Sequence, residues 1–454
     1  MTAPLETPGD FAGPAREAAS REIVERVLAA ARARGASAAE AAVHAGRGLS
    51  VTVRLGELET VEHTRDQSLG VTVYFGRRSG SASSNDLSAR AVEATVEAAC
   101  AIARHTAEDP CSGLADPERL AREIPDLDLY HPWGLAPDRA AELARACEQA
   151  ARDHDPRIAN SEGATVSSFE TLDVYGNSHG FLGARRASRH SLACSVLGRD
   201  GDGGMQRDHW YTVARAAEDL EPPEAVGRRA AQRAVARLGA RKLESRQAPV
   251  LYEAPAAVSL LGHFVGAVRG PNLYRGASFL VDRLGEPVFA PGVQIYERPH
   301  LPRGLGSAAF DNEGVATADR DLVRDGVLAG YVLDSYSACK LGLATTANAG
   351  GVHNLTLGPG AEDFDALLRR MDRGLWVTEL IGFGVNTVTG DYSRGAVGFW
   401  VEGGEVQYPV EEITVAGNLR DIFRGIAARG NDLDCRRSLR SPSVLVAEMT
   451  IAGH

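Results

Sequence analysis

Twelve histidines are the residues of this chain best suited to hold a catalytic metal, because imidazole nitrogen is a common zinc ligand. The closest two in sequence, His179 and His190, are eleven residues apart. Zinc motifs on helices place two histidines within about one turn of each other, so that both side chains lie on one face. The spacing therefore excludes a local zinc motif of this type.

A second candidate for chemistry is the segment 176–180, which matches the G-x-S-x-G pattern of a serine nucleophile on a strand-to-helix turn. The residues after it alternate as in a strand, so a hairpin loop is predicted instead. The segment 200–204 looks like the start of a calcium loop. It lacks the later acidic ligands of such a loop, so another turn is predicted.

Motifs for nucleotide and covalent cofactors are missing from the sequence. There is no G-x-x-x-x-G-K-[ST] phosphate loop, and the glycines at 382–384 are not followed by the helix that a dinucleotide site requires. The lysines Lys242 and Lys340 lie in no recognisable Schiff-base motif. The choice of two acidic residues as a glycosidase pair is arbitrary in a chain with this many acids.

Composition limits the class of protein further. The chain has 454 residues, 44% of them hydrophobic, so two or three domains are expected. A balance of 49 Lys+Arg against 60 Asp+Glu leaves a net charge of −11, which argues against a nucleic-acid partner. No signal-peptide pattern and no run of 18 apolar residues occurs, so no membrane association is expected and the cytoplasm is the predicted location. The six cysteines are far apart and predict neither a zinc knuckle nor a disulfide framework.

Apolar periodicity in the first half predicts both helices and strand meanders. The predicted helices cover residues 20–34, 87–103, about 137–153 and 223–238, and the predicted strands lie within 49–83 and at 165–175, 181–197 and 209–215. Prolines make 106–138 irregular. Strands followed by a helix thus occur twice, which fits either an internal duplication or a common α+β pattern.

The polar stretch 241–247 is the predicted domain boundary. We expect an N-terminal α/β domain of strand meanders and helices at 1–240 and a β-rich C-terminal domain at 241–454. A strand at 249–253 and a helix at 255–268 open the second domain, and Asp325-Gly326 and Gly403-Gly404 have the chemistry of two-residue hairpin turns. The predicted fold class is α+β.

Glycine and asparagine are concentrated in three segments of the second half, 350–354, 389–395 and 416–419. Glycine permits close approach of two backbones, as when a peptide adds to a sheet edge. The same residues are common in tight turns. Both interpretations stay open on composition alone.

Long segments of the second half resemble the TldD/PmbA metallopeptidase family, in its PmbA (TldE) branch. The segments that carry the resemblance are 260–285, 310–343, 349–354, 387–423 and 430–432, with weaker similarity at 175–181 and 205–215. The resemblance implies an N-terminal α/β domain, a β-rich C-terminal domain of the TldD/PmbA type, and a heterodimer with a TldD-type subunit around a peptide-accepting channel.

The same resemblance bears on the metal. In the TldD branch a His-Glu-x-x-x-His helix and a later cysteine hold zinc, and alignment on the shared Gly-His places His263 at the second histidine. Val258 and Ser259 stand at the positions of the first histidine and the glutamate, Ser441 stands near that of the cysteine, and Cys435 is displaced from it. One ligand cannot hold a catalytic zinc, which needs three protein ligands and an open water position. The resemblance therefore implies no metal and no catalytic residue in this chain, and zinc in the partner subunit.

The predicted function is that of a metal-free subunit of a zinc peptidase that hydrolyses amide bonds of extended peptides or peptide-like biosynthetic intermediates, with this chain shaping the substrate chamber. Residues expected to line the chamber or the subunit interface are His263, Arg269, His353, Asn354, Asp391, Arg394 and Asn418. For Asp391 and Arg394 an internal ion pair is an equal alternative. Two other functions stay open: a non-enzymatic peptide-binding module, and a homodimeric hydrolase with a metal site built, for instance, from His263, Cys435 and His454.

Overall fold

The computed structural model describes residues 11–453, and the first half of the chain folds around one six-stranded sheet. The helices of this half are α1 (Pro14–Ala33), α2 (Ala89–His105), α3 (Pro137–Arg152) and α4 (Pro223–Ala236). Its strands are β1 (Ala38–Arg54), β2 (Glu57–Phe75), β3 (Arg78–Ser84), β4 (Ile158–Asn177), β5 (Leu182–Arg199) and β6 (Met205–Ala214). Single 3-10 turns lie at Pro117–Arg119 and Ala217–Asp219.

The sheet order is β3-β2-β1-β4-β5-β6, and every neighbouring pair is antiparallel. A helix, three strands and a second helix therefore occur twice, with β1 and β4 adjacent at the centre. All four helices cover one face of the sheet, where alternate strand residues such as Val43 and Val166 are buried. The other face carries small polar residues that pair across strands, as in the hydrogen bonds between the hydroxyls of Ser50 and Ser167 (2.9 Å) and of Thr52 and Thr165 (2.9 Å).

Two element boundaries differ from the prediction. Helix α1 begins at Pro14 rather than at Ser20, which is buried within the helix, because proline is well suited to the first helical turn. Strand β1 begins at Ala38, eleven residues before the predicted strand region at 49. Alanines 39, 41 and 45 form its buried face, where small side chains suit the close packing of the helices.

The second half contains five helices and eleven strands among the described residues. The helices are α5 (Ala254–Val268), α6 (Gly270–Tyr274), α7 (Ser335–Leu341), α8 (Phe364–Met371) and α9 (Leu419–Arg424). The strands are β7 (Arg246–Tyr252), β8 (Ile295–Glu297), β9 (Arg320–Arg324), β10 (Val327–Leu328), β11 (Leu355–Leu357), β12 (Gly374–Ile381), β13 (Asp391–Glu402), β14 (Glu405–Asn418), β15 (Ile426–Arg429), β16 (Leu439–Arg440) and β17 (Val444–Ala452).

Five of these strands close into a barrel. The sheet order is β14-β13-β12-β7-β17-β15, and β14 also pairs with β17, so that the first five strands have no free edge between them. Val250 and Tyr252 of β7 share a core with Phe264 of α5, whereas Leu251, pointing the opposite way, packs with Met371 of α8. A smaller sheet of order β10-β9-β8-β11-β16 lies beside the barrel.

Several predicted turns are confirmed. Asp325-Gly326 joins β9 to β10 and Gly403-Gly404 joins β13 to β14, with positive φ at all four residues, as a two-residue hairpin of this kind requires. The segment 176–180 lies at the β4–β5 hairpin and 200–204 at the β5–β6 turn, so the G-x-S-x-G match has no nucleophile geometry. The α+β class, with an N-terminal α/β domain and a β-rich C-terminal domain, is also confirmed.

The cysteine prediction requires a correction. Cys111, in the irregular segment after α2, forms a disulfide with Cys339 of α7, although the two residues are 228 positions apart. Sequence spacing carries no information about such a pair because folding alone brings the two segments together. Nearby, Tyr336 and Lys340 of α7 donate hydrogen bonds to Asp109 (2.7 and 2.8 Å). None of the helices within residues 11–453 is long and apolar enough to cross a membrane.

Candidate functional site

A cavity of about 230 Å³ opens between the six-stranded sheet and the barrel. Residues 208–211 of β6 line one side, together with Arg233 of α4 and Arg237, which caps the C-terminal end of that helix. The opposite side is formed by the start of α5, the end of β12, Arg394 of β13 and the segment 436–437. The cavity thus lies where the two halves of the chain meet, a common place for ligand sites.

Helix α5 brings Ser259 to this cavity, with His263 one turn further along. The sequence around them is rich in alanine and leucine, which favour helix, and Pro255 lies in the first turn, where proline is tolerated. Ser443 accepts a hydrogen bond from the backbone N–H of Ala254 (3.0 Å) and so supports the helix start. The Ser259 hydroxyl donates to the carbonyl of Ala256 (2.8 Å), so it is engaged within the helix.

His263 is a half-buried imidazole held in its neutral form. Burial, and secondarily the charge of Arg394, lower the pKa of His263 to about 4. Its ring lies edge-to-face with Tyr392 at a centroid distance of 5.8 Å. The buried Nε2 atom has no hydrogen-bond partner among the described residues. His263 therefore offers one free nitrogen in a positively charged environment.

Three arginines beside the cavity are neutralised by carboxylates. Arg237 pairs with Glu379 (2.6 Å) and with Asp208 (3.0 Å). Arg233 pairs with Asp208 (3.2 Å) and with Glu253 (2.8 Å). The Nε atoms of both lie within ion-pair distance of Asp208 but are poorly aligned for hydrogen bonds.

Arg436 is the third of these arginines. It makes paired hydrogen bonds from Nε and Nη2 to Asp434 (2.9 Å each), and its guanidinium lies over the Trp210 ring at 4.0 Å. Burial raises the pKa of Asp434, but its bonds to Arg436 outweigh that effect and leave the pKa lowered. The loop before β16 is thereby fixed against β6.

Two further arginines at the cavity, Arg394 and Arg437, make no ion pair with any carboxylate within residues 11–453. Arg394 donates one long hydrogen bond to the carbonyl of Leu380 (3.4 Å), and its buried Nε has no partner there. Arg437 donates from Nε to the Tyr211 hydroxyl (3.0 Å). These two guanidinium groups are therefore available to an anion.

The residues do not fit a zinc site. Val258 has no ligand atom, Ser259 is a neutral hydroxyl, and the buried Ser441 donates its hydroxyl hydrogen to the carbonyl of Pro442 (2.9 Å). Cys435 is exposed. Across residues 11–453 no three His, Cys, Asp or Glu side chains are grouped closely enough to hold a metal ion. His454, part of the alternative homodimer site, lies outside the described residues.

Of the seven predicted site residues, the structure brings His263 and Arg394 together near the cavity. Arg269 is exposed at the C-terminal end of α5. Ten residues separate it from Ser259, which is about 15 Å along a helix axis. Arg269 therefore lies at the opposite end of the helix from the cavity.

His353 and Asn354 belong to a separate network in the loop before β11. The backbone N–H of His353 donates to Glu297, and its ring Nε2 lies 3.2 Å from the carbonyl of Ala347. Asn354 is fully buried, donates to the carbonyl of Arg298 (2.9 Å) and accepts from the N–H of Gly306 (2.9 Å). These bonds hold the loop and leave the Asn354 side chain no exposed surface.

Asp391 and Asn418 face each other at the open end of the β13–β14 hairpin. Asn418 donates to Asp391 (3.2 Å) and caps α9 by accepting from the N–H of Arg420 (3.0 Å). Asp391 also accepts from the hydroxyl of Thr389 (2.6 Å). Asp391 therefore pairs with its neighbours and not with Arg394, so the alternative of an internal ion pair is wrong.

The prediction missed the residues that the first half contributes to the cavity. Trp210, Tyr211, Arg233 and Arg237 line it, as does Arg437 near the C-terminus. The cluster of two aromatic residues after Asp208-His209 was one available signal. Arg233 and Arg237 had no such signal, because the predicted helix at 223–238 explains them equally well as solvent-facing residues.

Family models match most of the chain. They describe PmbA/TldA metallopeptidase domain 1 over residues 39–103, the central domain over residues 130–238 and the C-terminal domain over residues 245–453. The chain is 49% identical over 438 residues to the metalloprotease PmbA of Escherichia coli O157:H7, with 96% of this chain and 97% of that one covered.

Solved structures of similar proteins have the same fold. A crystal structure from Bacteroides thetaiotaomicron, described as that of a candidate modulator of DNA gyrase, has a TM-score of 0.90 and 29% identity, with 96% of this chain and 99% of that chain covered. The crystal structure of TldE from Thermococcus kodakarensis has a TM-score of 0.84 and 20% identity, with 95% and 100% covered.

Proposed function

This chain belongs to the PmbA/TldD metallopeptidase family, in its PmbA branch, and we propose that it is the subunit of a heterodimeric zinc peptidase that carries no zinc of its own. The observation that carries the proposal is which residues stand on α5 at the positions of the zinc motif. Val258, Ser259 and His263 stand where the family's other branch has its His-Glu-x-x-x-His motif, and they supply one ligand atom that lies near an unpaired arginine.

Electrostatics support this division of labour. A divalent cation beside His263 would lie close to the Arg394 guanidinium, and like charges at short range in a half-buried site repel strongly. The absence of a carboxylate at position 259 also leaves no base on α5 to take a proton from a metal-bound water. Zinc and the catalytic base are therefore assigned to a TldD-type partner, and this chain shapes the chamber that holds an extended peptide or peptide-like substrate.

The proposal is tested by co-expression of this chain with the TldD-type protein of the same organism. A stable heterodimer that cleaves peptide amide bonds is expected, and its activity should vanish when the histidine-glutamate motif of the partner is replaced. The matched change on this side, His263→Ala, is expected to leave the metal content of the complex unchanged. Activity and metal in this chain alone would contradict the proposal.

A peptide-binding module without catalysis is the second candidate function, because part of a sheet edge is open. Strand β3 pairs only with residues 69–75 of β2, so the outer edge of β2 from Glu57 to Ser68 has no strand partner within residues 11–453. Such an edge can accept an extended peptide by main-chain hydrogen bonds. Peptide binding without a heterodimer or hydrolysis would favour this function.

A further inference from the structure

We propose that Arg394 and Arg437 form a binding site for a peptide carboxylate, either the free C-terminus of the peptide or an acidic side chain. The inference deepens the proposed function, on which it rests, by naming the chemical group of the substrate that this chain holds. The cavity of this chain then binds part of the substrate without a metal of its own.

The first argument for an anion site is the balance of charges around the cavity. Arg233, Arg237 and Arg436 are each within 3.2 Å of one or more carboxylate oxygens, so their charges are compensated. Arg394 and Arg437 have no such partner among the described residues, yet both line the same cavity. Arg394 is half-buried, and an uncompensated guanidinium there is energetically costly, a cost that a bound carboxylate offsets. Arg437 is exposed and adds a second donor for the same anion.

The surroundings of Arg394 strengthen this point. It is half-buried in β13, its Nε is shielded from solvent without a hydrogen bond, and its one hydrogen bond to Leu380 is long at 3.4 Å. Nearby, the buried His263 Nε2 also lacks a partner within the described part of the chain. Arg233 and Arg237 also have a buried Nε without a hydrogen bond, but their terminal nitrogens bind carboxylates. Arg394 has no such bond within residues 11–453, so its guanidinium favours a ligand that is absent from the protein alone.

Arg437 is held differently but points to the same ligand. Its Nε donates to the Tyr211 hydroxyl at 3.0 Å, which leaves the terminal nitrogens without a carboxylate. The preceding Arg436 is fixed by Asp434 and by stacking over Trp210 and Tyr211 at 4.0 and 4.6 Å. Arg437 is thus presented from a supported segment, and such preorganisation lowers the entropic cost of binding.

A carboxylate fits this cavity better than a more highly charged anion. Among the described residues, five arginines at the cavity stand against four carboxylates, those of Asp208, Glu253, Glu379 and Asp434, so the surplus of one positive charge suits a carboxylate better than a phosphate with two negative charges. Arginine pairs with a planar carboxylate through two parallel hydrogen bonds. The volume of about 230 Å³ accommodates the end of an extended peptide rather than a folded domain.

Calorimetric titration of the isolated full-length chain with three peptides tests the site. The probes are penta-alanine with a free C-terminus, the same peptide as its C-terminal amide, and an amidated peptide with aspartate in the central position. The free acid or the aspartate peptide is expected to bind at least about tenfold more tightly than the plain amide, and the better of the two identifies the source of the carboxylate.

Arg394→Gln and Arg437→Gln should each remove this preference. Arg122→Gln is the matched control, because Arg122 is exposed and makes no hydrogen bond or ion pair within residues 11–453. Arg437 is exposed, so its replacement tests the site even if Arg394→Gln fails to fold. Equal binding of all three peptides, no binding of any, or an unchanged preference in Arg437→Gln would overturn the inference.

The test is independent of the heterodimer. If a complex forms and cleaves peptides without any carboxylate preference in the isolated chain, the carboxylate site fails and the proposed function stands. If no complex forms but the isolated chain prefers the carboxylate peptides through Arg437, the proposed function fails and the binding site stands.

Discussion

His263 illustrates how one residue at this site responds to its surroundings. The imidazole packs edge-to-face with the Tyr392 ring and lies near the positive charge of Arg394. Burial and the Arg394 charge both lower its pKa and keep it neutral, and burial has the larger effect. A metal-binding histidine is usually oriented by a second hydrogen bond to its other ring nitrogen. Within residues 11–453 His263 belongs to no group of metal ligands, and its ring packs against Tyr392 instead.

A pH dependence of stability follows from this environment. The folded-state pKa of His263 is about 4, below the ordinary value near 6.5, so the unfolded chain binds a proton more readily and stability falls as the pH drops from about 6.5 to 4. Between pH 7 and pH 5 we expect wild type to lose roughly 1 to 2 kcal/mol more free energy of unfolding than His263→Gln. Denaturant titrations at the two pH values measure the difference, and identical losses in both proteins would contradict it.

The helices that cover the six-stranded sheet depend on close backbone contacts. A Cβ added at Gly227 of α4 would lie 2.0 Å from the carbonyl oxygen of Cys147 in α3, a distance that requires the two helices to move apart. Gly266 of α5 is also helical, but a Cβ there would meet nothing within 4 Å. Packing therefore requires glycine at position 227 but not at position 266, although both residues lie within helices.

Alanine at these two positions should therefore have opposite effects. Gly227→Ala is expected to lower the free energy of unfolding by about 1 to 3 kcal/mol because the packed helices cannot absorb the methyl group. Gly266→Ala should raise it by about 0.5 to 1 kcal/mol because alanine restricts the unfolded chain and favours helix. Thermal and denaturant unfolding of both variants supply the comparison, and stabilisation by Gly227→Ala would refute the packing argument.

Local sequence patterns predicted the bounds of some helices correctly but missed other elements. Helices α3 and α4 end within two residues of their predicted positions, because proline starts both and their apolar residues keep a regular spacing. The alanine-rich start of β1 was missed, because alanine does not distinguish strand from helix by its pattern. Barrel closure through the β14–β17 pairs, such as Val415 with Ile451, joins distant segments and has no local signal.

The residues of the cavity were predictable only in part, because they come from segments that are distant in sequence. Arg394 was identified from a polar segment, but Arg437, Trp210 and Arg233 reach the cavity from three other parts of the chain. Ion pairing decides which arginines are free for a ligand, and that depends on contacts such as Arg237 with Glu379, 142 residues away. No property of a single segment reveals such a partnership.

At the scale of the whole molecule, the disulfide between Cys111 and Cys339 ties the segment after α2 to the barrel half. It closes a loop of 228 residues, and a cross-link over a long loop is expected to add about 2 to 4 kcal/mol of stability. Cys339→Ser should lower the unfolding midpoint under oxidising conditions and leave it equal to that of reduced wild type when reductant is added.

Cys435→Ser is the control for this prediction, because Cys435 is exposed and has no disulfide partner. Thiol counting on protein taken directly from cells then shows the state of the pair in its own compartment. If the predicted cytoplasmic location holds, both thiols are reduced in cells. A wild-type midpoint that does not respond to reductant, despite complete reduction, would contradict a stabilising role for the cross-link.

At this scale the main proposal is that a TldD-type partner holds the catalytic zinc and that this chain holds none. It is tested most directly by the zinc content of the isolated full-length chain after incubation with excess zinc and removal of loosely bound metal, with His263→Ala measured alongside. We expect no zinc above the level of the variant, because α5 supplies one ligand atom where three are required. About one equivalent of zinc in wild type, lost in His263→Ala, would contradict the account.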